Sequence, residues 1–175
     1  GRIGFLDFGI VGRFNELQAA LESLVEGDTL YVHPGDYYRE PDPRPRDSGG
    51  IYTLEASGTA DRPIIFTAAN RADPPTIHSC SPSEPTRCFG PALAAYGDHV
   101  ILDHLRIRGR VQIWGGAHKT LQYLECTHGW GACGDGNWSC LRIESCESCT
   151  AHHNYVHDVS GAGMCEACLP GDTCG

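Results

Sequence analysis

Ala92-Leu-Ala-Ala-Tyr-Gly-Asp-His-Val-Ile-Leu-Asp-His-Leu-Arg-Ile-Arg-Gly109 is answered by Val111-Gln-Ile-Trp-Gly-Gly-Ala-His-Lys-Thr-Leu-Gln-Tyr-Leu-Glu-Cys-Thr-His128, and this match decides the fold. At an offset of 19 residues, Gly97 meets Gly116, His99 meets His118, Leu102 meets Leu121 and Leu105 meets Leu124, without a gap. A third copy, Leu141 to Asp158, follows at an offset of 30 residues and places Val156 under Cys126 and Ile107. The extra length reads as an insertion around Trp130 to Asn137. Each copy holds two short strands separated by a turn. A single copy cannot bury its own apolar face, so the copies must stack into a solenoid.

Period-2 alternation assigns the faces of the stack. Leu105, Ile107, Leu124, Cys126, Asn154 and Val156 point inward on one sheet, and Val111, Ile113, Leu141 and Ile143 on another. Asn154 among these apolar residues is expected to bond backbone groups at a strand bend. Two outward columns remain on the first sheet: Arg106, Glu125 and Tyr155, and beside them Arg108, Thr127 and His157. The other sheet presents Gln112 with Arg142 and Trp114 with Glu144.

Upstream, Phe14, Leu17, Ala20, Leu21, Leu24 and Val25 recur at helical spacing, which predicts one amphipathic helix over 13–26, closed by Gly27. The strand Asp28-Thr-Leu-Tyr-Val-His-Pro-Gly-Asp-Tyr37 follows directly, so the helix has a sheet end to cover. Pro41 to Gly50 is a polar loop. Ile51-Tyr-Thr-Leu54 and Pro63-Ile-Ile-Phe-Thr-Ala68 are two more strands, joined by Ser57-Gly-Thr-Ala-Asp-Arg-Pro63. A helix, then Gly-Asp-Thr-Leu-Tyr-Val-His-Pro-Gly-Asp-Tyr, then Ser-Gly-Thr-Ala-Asp-Arg-Pro-Ile-Ile-Phe-Thr-Ala resembles the opening of pectate-lyase-like β-helix proteins, nearest the alginate lyase and chondroitinase B branch. The resemblance implies an all-β, right-handed, single-stranded parallel β-helix with an N-terminal capping helix. On this reading residues 1–175 are one domain: helix 13–26, coils 28–160, and a Cys-rich loop or the start of a further coil over 161–175.

The whole chain carries 13 lysine and arginine residues against 22 aspartates and glutamates, a formal net charge of −9, which repels a phosphate backbone and argues against nucleic acid. Lys119 is the one lysine among those cations. No stretch approaches the roughly 20 apolar residues of a membrane span. Ten cysteines point to an oxidising compartment, hence to a secreted or cell-surface protein. Starting at Gly1 and ending at Cys174-Gly175, the chain reads as a segment of a longer exported protein.

Arginine, carboxylate, histidine and aromatic groups on rigid outward columns suit an extended polysaccharide. Trp114 and Tyr155 could stack on sugar rings. Arg106 and Arg108 could pair with uronate carboxylates through charge-assisted bonds, and Glu125 and Arg142 are further candidate substrate contacts. The competing reading is an ordinary solvated surface with cross-strand pairs such as Arg106 to Glu125 and Arg142 to Glu144. The family resemblance further implies β-elimination on a uronate polymer, with calcium or arginine neutralising the carboxylate and a basic side chain taking the proton. Arg108, Lys119 and His157 are the candidates for that chemistry, with Lys119 expected as a solvated turn residue. The family's calcium-binding acids and catalytic bases match no motif in this chain. A non-catalytic surface or adhesion module held by disulfides is the second reading.

The spacing Cys146-x2-Cys149 and Cys165-x2-Cys168 also fits a four-thiolate zinc module. Against zinc stand the remaining cysteines, where Cys80 with Cys88 and Cys133 with Cys140 would pin two loops as disulfides. His152 and His153 are expected on opposite sides of their strand.

Overall fold

The computed structural model describes residues 3–6, 14–38, 52–79, 91–127 and 140–157. Short strands are wound into three parallel sheets, because each strand holds only two to five residues before the chain turns a corner. The elements in chain order are β1 (Ile3–Leu6), α1 (Phe14–Glu22), β2 (Thr29–Val32), β3 (Asp36–Tyr38), β4 (Tyr52–Leu54), β5 (Ile64–Ala68), β6 (Thr76–His78) and β7 (Pro91–Ala95). They continue with β8 (Val100–Asp103), β9 (Arg106–Arg108), β10 (Arg110–Trp114), β11 (Thr120–Gln122), β12 (Glu125–Thr127), β13 (Leu141–Glu144), β14 (Thr150–His152) and β15 (Tyr155–Val156). A six-stranded sheet runs β1-β2-β5-β8-β11-β14, a four-stranded sheet β13-β10-β7-β4, and a five-stranded sheet β15-β12-β9-β6-β3. Successive turns therefore read β7-β8-β9, β10-β11-β12 and β13-β14-β15. This is the right-handed parallel β-helix.

The repeat offsets hold across the stack. Glu125 pairs with Arg106 and Thr120 with Ile101 at 19 residues, and Val111 pairs with Leu141 and Cys126 with Val156 at 30. One register differs from the sequence reading: a bulge between Arg110 and Val111 sets Val111 beside Leu93 rather than Ala92. Inward side chains fill the bore, with Phe66, Leu102, Leu105, Ile107, Val111, Ile113, Leu121 and Cys126 all buried. Each such aliphatic or aromatic side chain contributes about 1.5–3 kcal/mol by leaving water. Ile143 and Val156, at the end of the described stack, are 40% and 47% exposed although they occupy inward positions.

Each repeat contributes three strands, not two. The sequence reading missed a corner because the bends are made by residues other than glycine. His104, Tyr123 and His153 stand between the six- and five-stranded sheets, and His99, His118 and Ser148 between the four- and six-stranded sheets, all with φ between 49° and 55°. That left-handed conformation costs an L-residue roughly 1–2 kcal/mol. Stacking offsets part of it: His99 on His118 and His104 on Tyr123 have ring centroids 4.6 Å apart, and Tyr123 on His153 5.0 Å. The bend also overturns the expectation for His152 and His153, whose Nδ1 atoms approach to 2.8 Å instead of facing apart. Asn154 behaves as expected. Its Oδ1 accepts from Leu124 N at 2.9 Å and its Nδ2 donates to Leu121 O at 3.0 Å, serving the backbone of the bend below.

The helix caps the stack but is shorter than its periodicity suggests. It ends at Glu22, where Ser23 N still reaches Ala19 O, and the chain then turns with Asp28 Oδ2 accepting from Val25 N. Val25 is consequently 57% exposed rather than on the apolar stripe, while Leu17 and Leu21 are buried. Gln18 closes the open edge of β4. Its Oε1 accepts from Thr53 N at 2.9 Å and its Nε2 donates to Thr53 O at 3.2 Å, so a side-chain amide replaces a missing strand.

Two disulfides lie in the described residues: Cys126–Cys140, joining β12 to the start of β13, and Cys146–Cys149 at the corner after β13. Cys140 thus bonds Cys126, not Cys133. Cys126 points into the bore, where Cys140 enters with the next coil. Cys146 and Cys149, two of the four zinc candidates, are paired with each other at that corner. Cys80, Cys88, Cys133, Cys165, Cys168, the insertion around Trp130 to Asn137, the loop from Pro41 to Gly50 and the 161–175 stretch lie outside the described residues.

Candidate functional site

A polar–apolar–polar triplet recurs in every strand of the five-stranded sheet: Asp36-Tyr-Tyr38, Thr76-Ile-His78, Arg106-Ile-Arg108, Glu125-Cys-Thr127 and Tyr155-Val-His157. The central residue enters the bore and the flanking pair faces out. Parallel register then builds one column of Asp36, Thr76, Arg106, Glu125 and Tyr155, and a second of Tyr38, His78, Arg108, Thr127 and His157. Asp36, Thr76, His78, Arg106, Ile107, Arg108, Glu125 and Thr127 line a groove of about 270 Å³ along the stacking axis.

The charges in the groove are not equivalent. Arg106 is held from both sides, Nε donating to Glu125 Oε2 at 3.3 Å and Nη1 to Asp73 Oδ1 at 3.4 Å. Glu125 Oε1 also meets His157 Nε2 at 3.2 Å, and the His157 ring stacks on Tyr155 at 4.4 Å. Arg108 lies between His78 and Thr127 in register, and its Nε is buried with no hydrogen-bond partner among the described residues. A buried guanidinium N–H without an acceptor costs about 1–3 kcal/mol.

His78, in the same groove, has Nε2 2.7 Å from Asp36 Oδ1 and its ring stacked on Tyr38 at 4.1 Å. Burial pushes the His78 pKa down, with the Arg108 charge adding to that, and outweighs the opposing hydrogen bond and charge of Asp36. Burial first and the Asp36 charge second raise the pKa of Tyr38 against the pull of Arg108, so its phenol stays protonated. Neither Asp36 nor His78 was among the residues singled out in the sequence. Long connections separate their coils, and only the triplet pattern with an apolar centre could have found them.

The other candidates fall elsewhere. Trp114 and Arg142 face out from the four-stranded sheet, where Arg142 pairs with Glu144. Trp114 is half exposed, while Gln112, expected in the open, is buried. They do not join Arg106, Glu125 and Tyr155 in one site. Lys119, expected in solvent, is buried at the corner before β11. Its Nζ donates to Gly115 O, Asp98 lies nearby, and burial pushes its pKa down more than Asp98 raises it. A lysine committed to a turn carbonyl there cannot reach the groove. Calcium needs six to eight converging oxygens. Asp36 is bonded to His78 and Glu125 to Arg106 and His157, and no cluster of three or more acidic, histidine or cysteine side chains able to hold a metal occurs among the described residues. Among the described residues the groove gathers no set of oxygens that would hold calcium.

Parallel coils behind a helical cap define a right-handed parallel β-helix, with a groove along one outer sheet. Solved structures agree on the fold. The chain is similar to the alginate lyase from Paenibacillus sp. str. FPU-7, with a TM-score of 0.57 and 18% identity over 84% of this chain and 44% of that one. It is also similar to the pectate lyase Pel9A, with a TM-score of 0.52 and 20% identity over 79% of this chain and 32% of that one. The chain therefore spans less than half the length of either. No protein-family model and no curated protein matches the sequence.

Proposed function

We propose that the groove on the five-stranded sheet binds an acidic polysaccharide and that the protein acts there as a uronate-polysaccharide lyase of extracellular location. The observation that carries this reading is the Arg108 guanidinium, which lines the groove, is partly exposed and makes no ion pair among the described residues. A sugar carboxylate would pair with the exposed part of that guanidinium through a charge-assisted bond. Arg106, already bonded to Glu125 and Asp73, contributes a fixed positive field beside it. In β-elimination the cation next to the carboxylate stabilises negative charge that develops when the adjacent C–H is broken. The parallel strands repeat about every 4.8 Å, which gives the groove the direction of an extended polymer. The two β-helix lyases of similar fold add support by analogy of architecture. Two disulfides support an oxidising, extracellular setting.

Incubation with alginate, pectate and chondroitin, followed by ultraviolet absorbance of unsaturated uronate ends, tests the reading. Product that disappears in Arg108→Ala supports it. Absence of product with all three polymers, together with retained binding, would leave the second reading, a non-catalytic surface module. Cys126–Cys140, which ties one coil to the next, is the feature that favours that alternative.

A further inference from the structure

We infer that His78, oriented by Asp36, is the proton acceptor of the groove. This deepens the lyase reading and rests on it. Three observations converge on His78. It lies next to Arg108 in register on the adjacent strand, so a carboxylate bound at Arg108 brings its neighbouring carbon towards the imidazole. Asp36 Oδ1, 2.7 Å from Nε2, fixes the ring and selects the tautomer. The imidazole is neutral, so Nε2–H donates to the carboxylate and Nδ1 keeps a lone pair, with no hydrogen bond of its own among the described residues. Tyr38 packs flat against the ring and limits its rotation.

The other groups in the groove are less suited to the task. Arg106 is engaged by Glu125 and Asp73, and Arg108 is the partner of the carboxylate itself. Glu125 is bonded to Arg106 and His157. In the elimination, the Nδ1 lone pair takes the proton on the carbon next to the uronate carboxylate. The C–H electron pair becomes the new C=C bond, and the bond from the ring to the glycosidic oxygen breaks. That oxygen leaves with its electron pair and takes a proton from water, while imidazolium returns its own proton to solvent. Atoms and charge balance without an oxidant or a second substrate.

The groups facing His78 are Asp36 and Tyr38 on β3 and Arg108 on β9, so the rate of the wild-type protein should rise with pH as the imidazole loses its proton. His78→Gln is expected to lower kcat about 100-fold or more with KM little changed, and to abolish that limb of the pH profile. Added imidazole is expected to restore part of the activity of His78→Gly. Asp36→Asn, at a side chain 62% exposed and therefore tolerated by the fold, should lower kcat about tenfold or more and displace the same limb. An active wild type whose His78→Gln variant keeps kcat within a few-fold overturns the inference and leaves the lyase reading standing. If His78 variants fail to fold, an Asp36→Asn protein with unchanged kcat and pH profile overturns it equally. Wild-type protein that yields no unsaturated product from any of the three polymers overturns the lyase reading and the inference with it.

Discussion

A Cβ placed on Gly97 would stand 1.9 Å from the carbonyl oxygen of Ala56. The corner before β8 passes that close to the coil beneath it, with Tyr96 N bonded to Leu54 O at 2.9 Å. Neither partner can yield without moving backbone. Gly97→Ala should therefore cost about 3 kcal/mol or more, beyond ordinary overpacking. Gly115 is the control: its φ is +59° but nothing lies within 4 Å of an added Cβ, so Gly115→Ala should cost only about 1–2 kcal/mol. Chemical denaturation of both variants measures the difference.

The two disulfides should differ in both reducibility and effect. Cys126 and Cys140 are buried, whereas Cys146 and Cys149 are partly exposed. Mild reductant with mass-spectrometric alkylation should modify the second pair first. Cys126 and Cys140 are 14 residues apart, for which loop entropy gives about 3 kcal/mol; the 3-residue separation of Cys146 and Cys149 gives less. Paired serine variants should show that order in their denaturation midpoints.

Acid should weaken the fold partly through Asp103. Burial opposes its charge, but hydrogen bonds from Thr67, His104 and Gln122, with the His104 charge, outweigh that and hold its pKa below the usual aspartate range. Its folded pKa is depressed, so its contribution is complete above the ordinary value of about 3.9 and is lost as pH falls through the lower folded value. Asp103→Asn should be less stable at neutral pH and show a flatter fall in Tm across that acidic window.

Binding should follow the sheet, not the charge. Arg108→Ala is expected to weaken affinity for an acidic polymer roughly tenfold to a hundredfold, the worth of one charge-assisted hydrogen bond. Arg142→Ala, on another sheet and paired with Glu144, should leave it within a factor of two. Affinity electrophoresis in gels containing alginate or pectate distinguishes the two outcomes.

The coils and columns were legible because Leu102, Leu105 and Ile107 recur at fixed offsets, and stacking in register turns such an offset into adjacency. The Arg106 to Glu125 and Arg142 to Glu144 pairs follow from the same arithmetic. The corner at His104 was not legible, because a non-glycine left-handed residue carries no compositional mark. Lys119 was misplaced because its charge suggested solvent, whereas a turn carbonyl receives its amine. Asp36 and His78 escaped because their coils are separated by connections of unequal length, so no constant offset links β3, β6 and β9.

The coil that begins at β10 takes 30 residues to reach β13, whereas the one before it takes 19, yet strands pair in order in all three sheets. The additional residues are confined to the connection between β12 and β13, bracketed by Cys126 and Cys140. Strand pairing on either side of that connection keeps the outward triplets in register. A foreign peptide could be spliced there, or the segment exchanged wholesale, while the outward triplets keep their spacing. The architecture thus separates what can drift from what must stay aligned, and one scaffold can carry many edge decorations over an unaltered face.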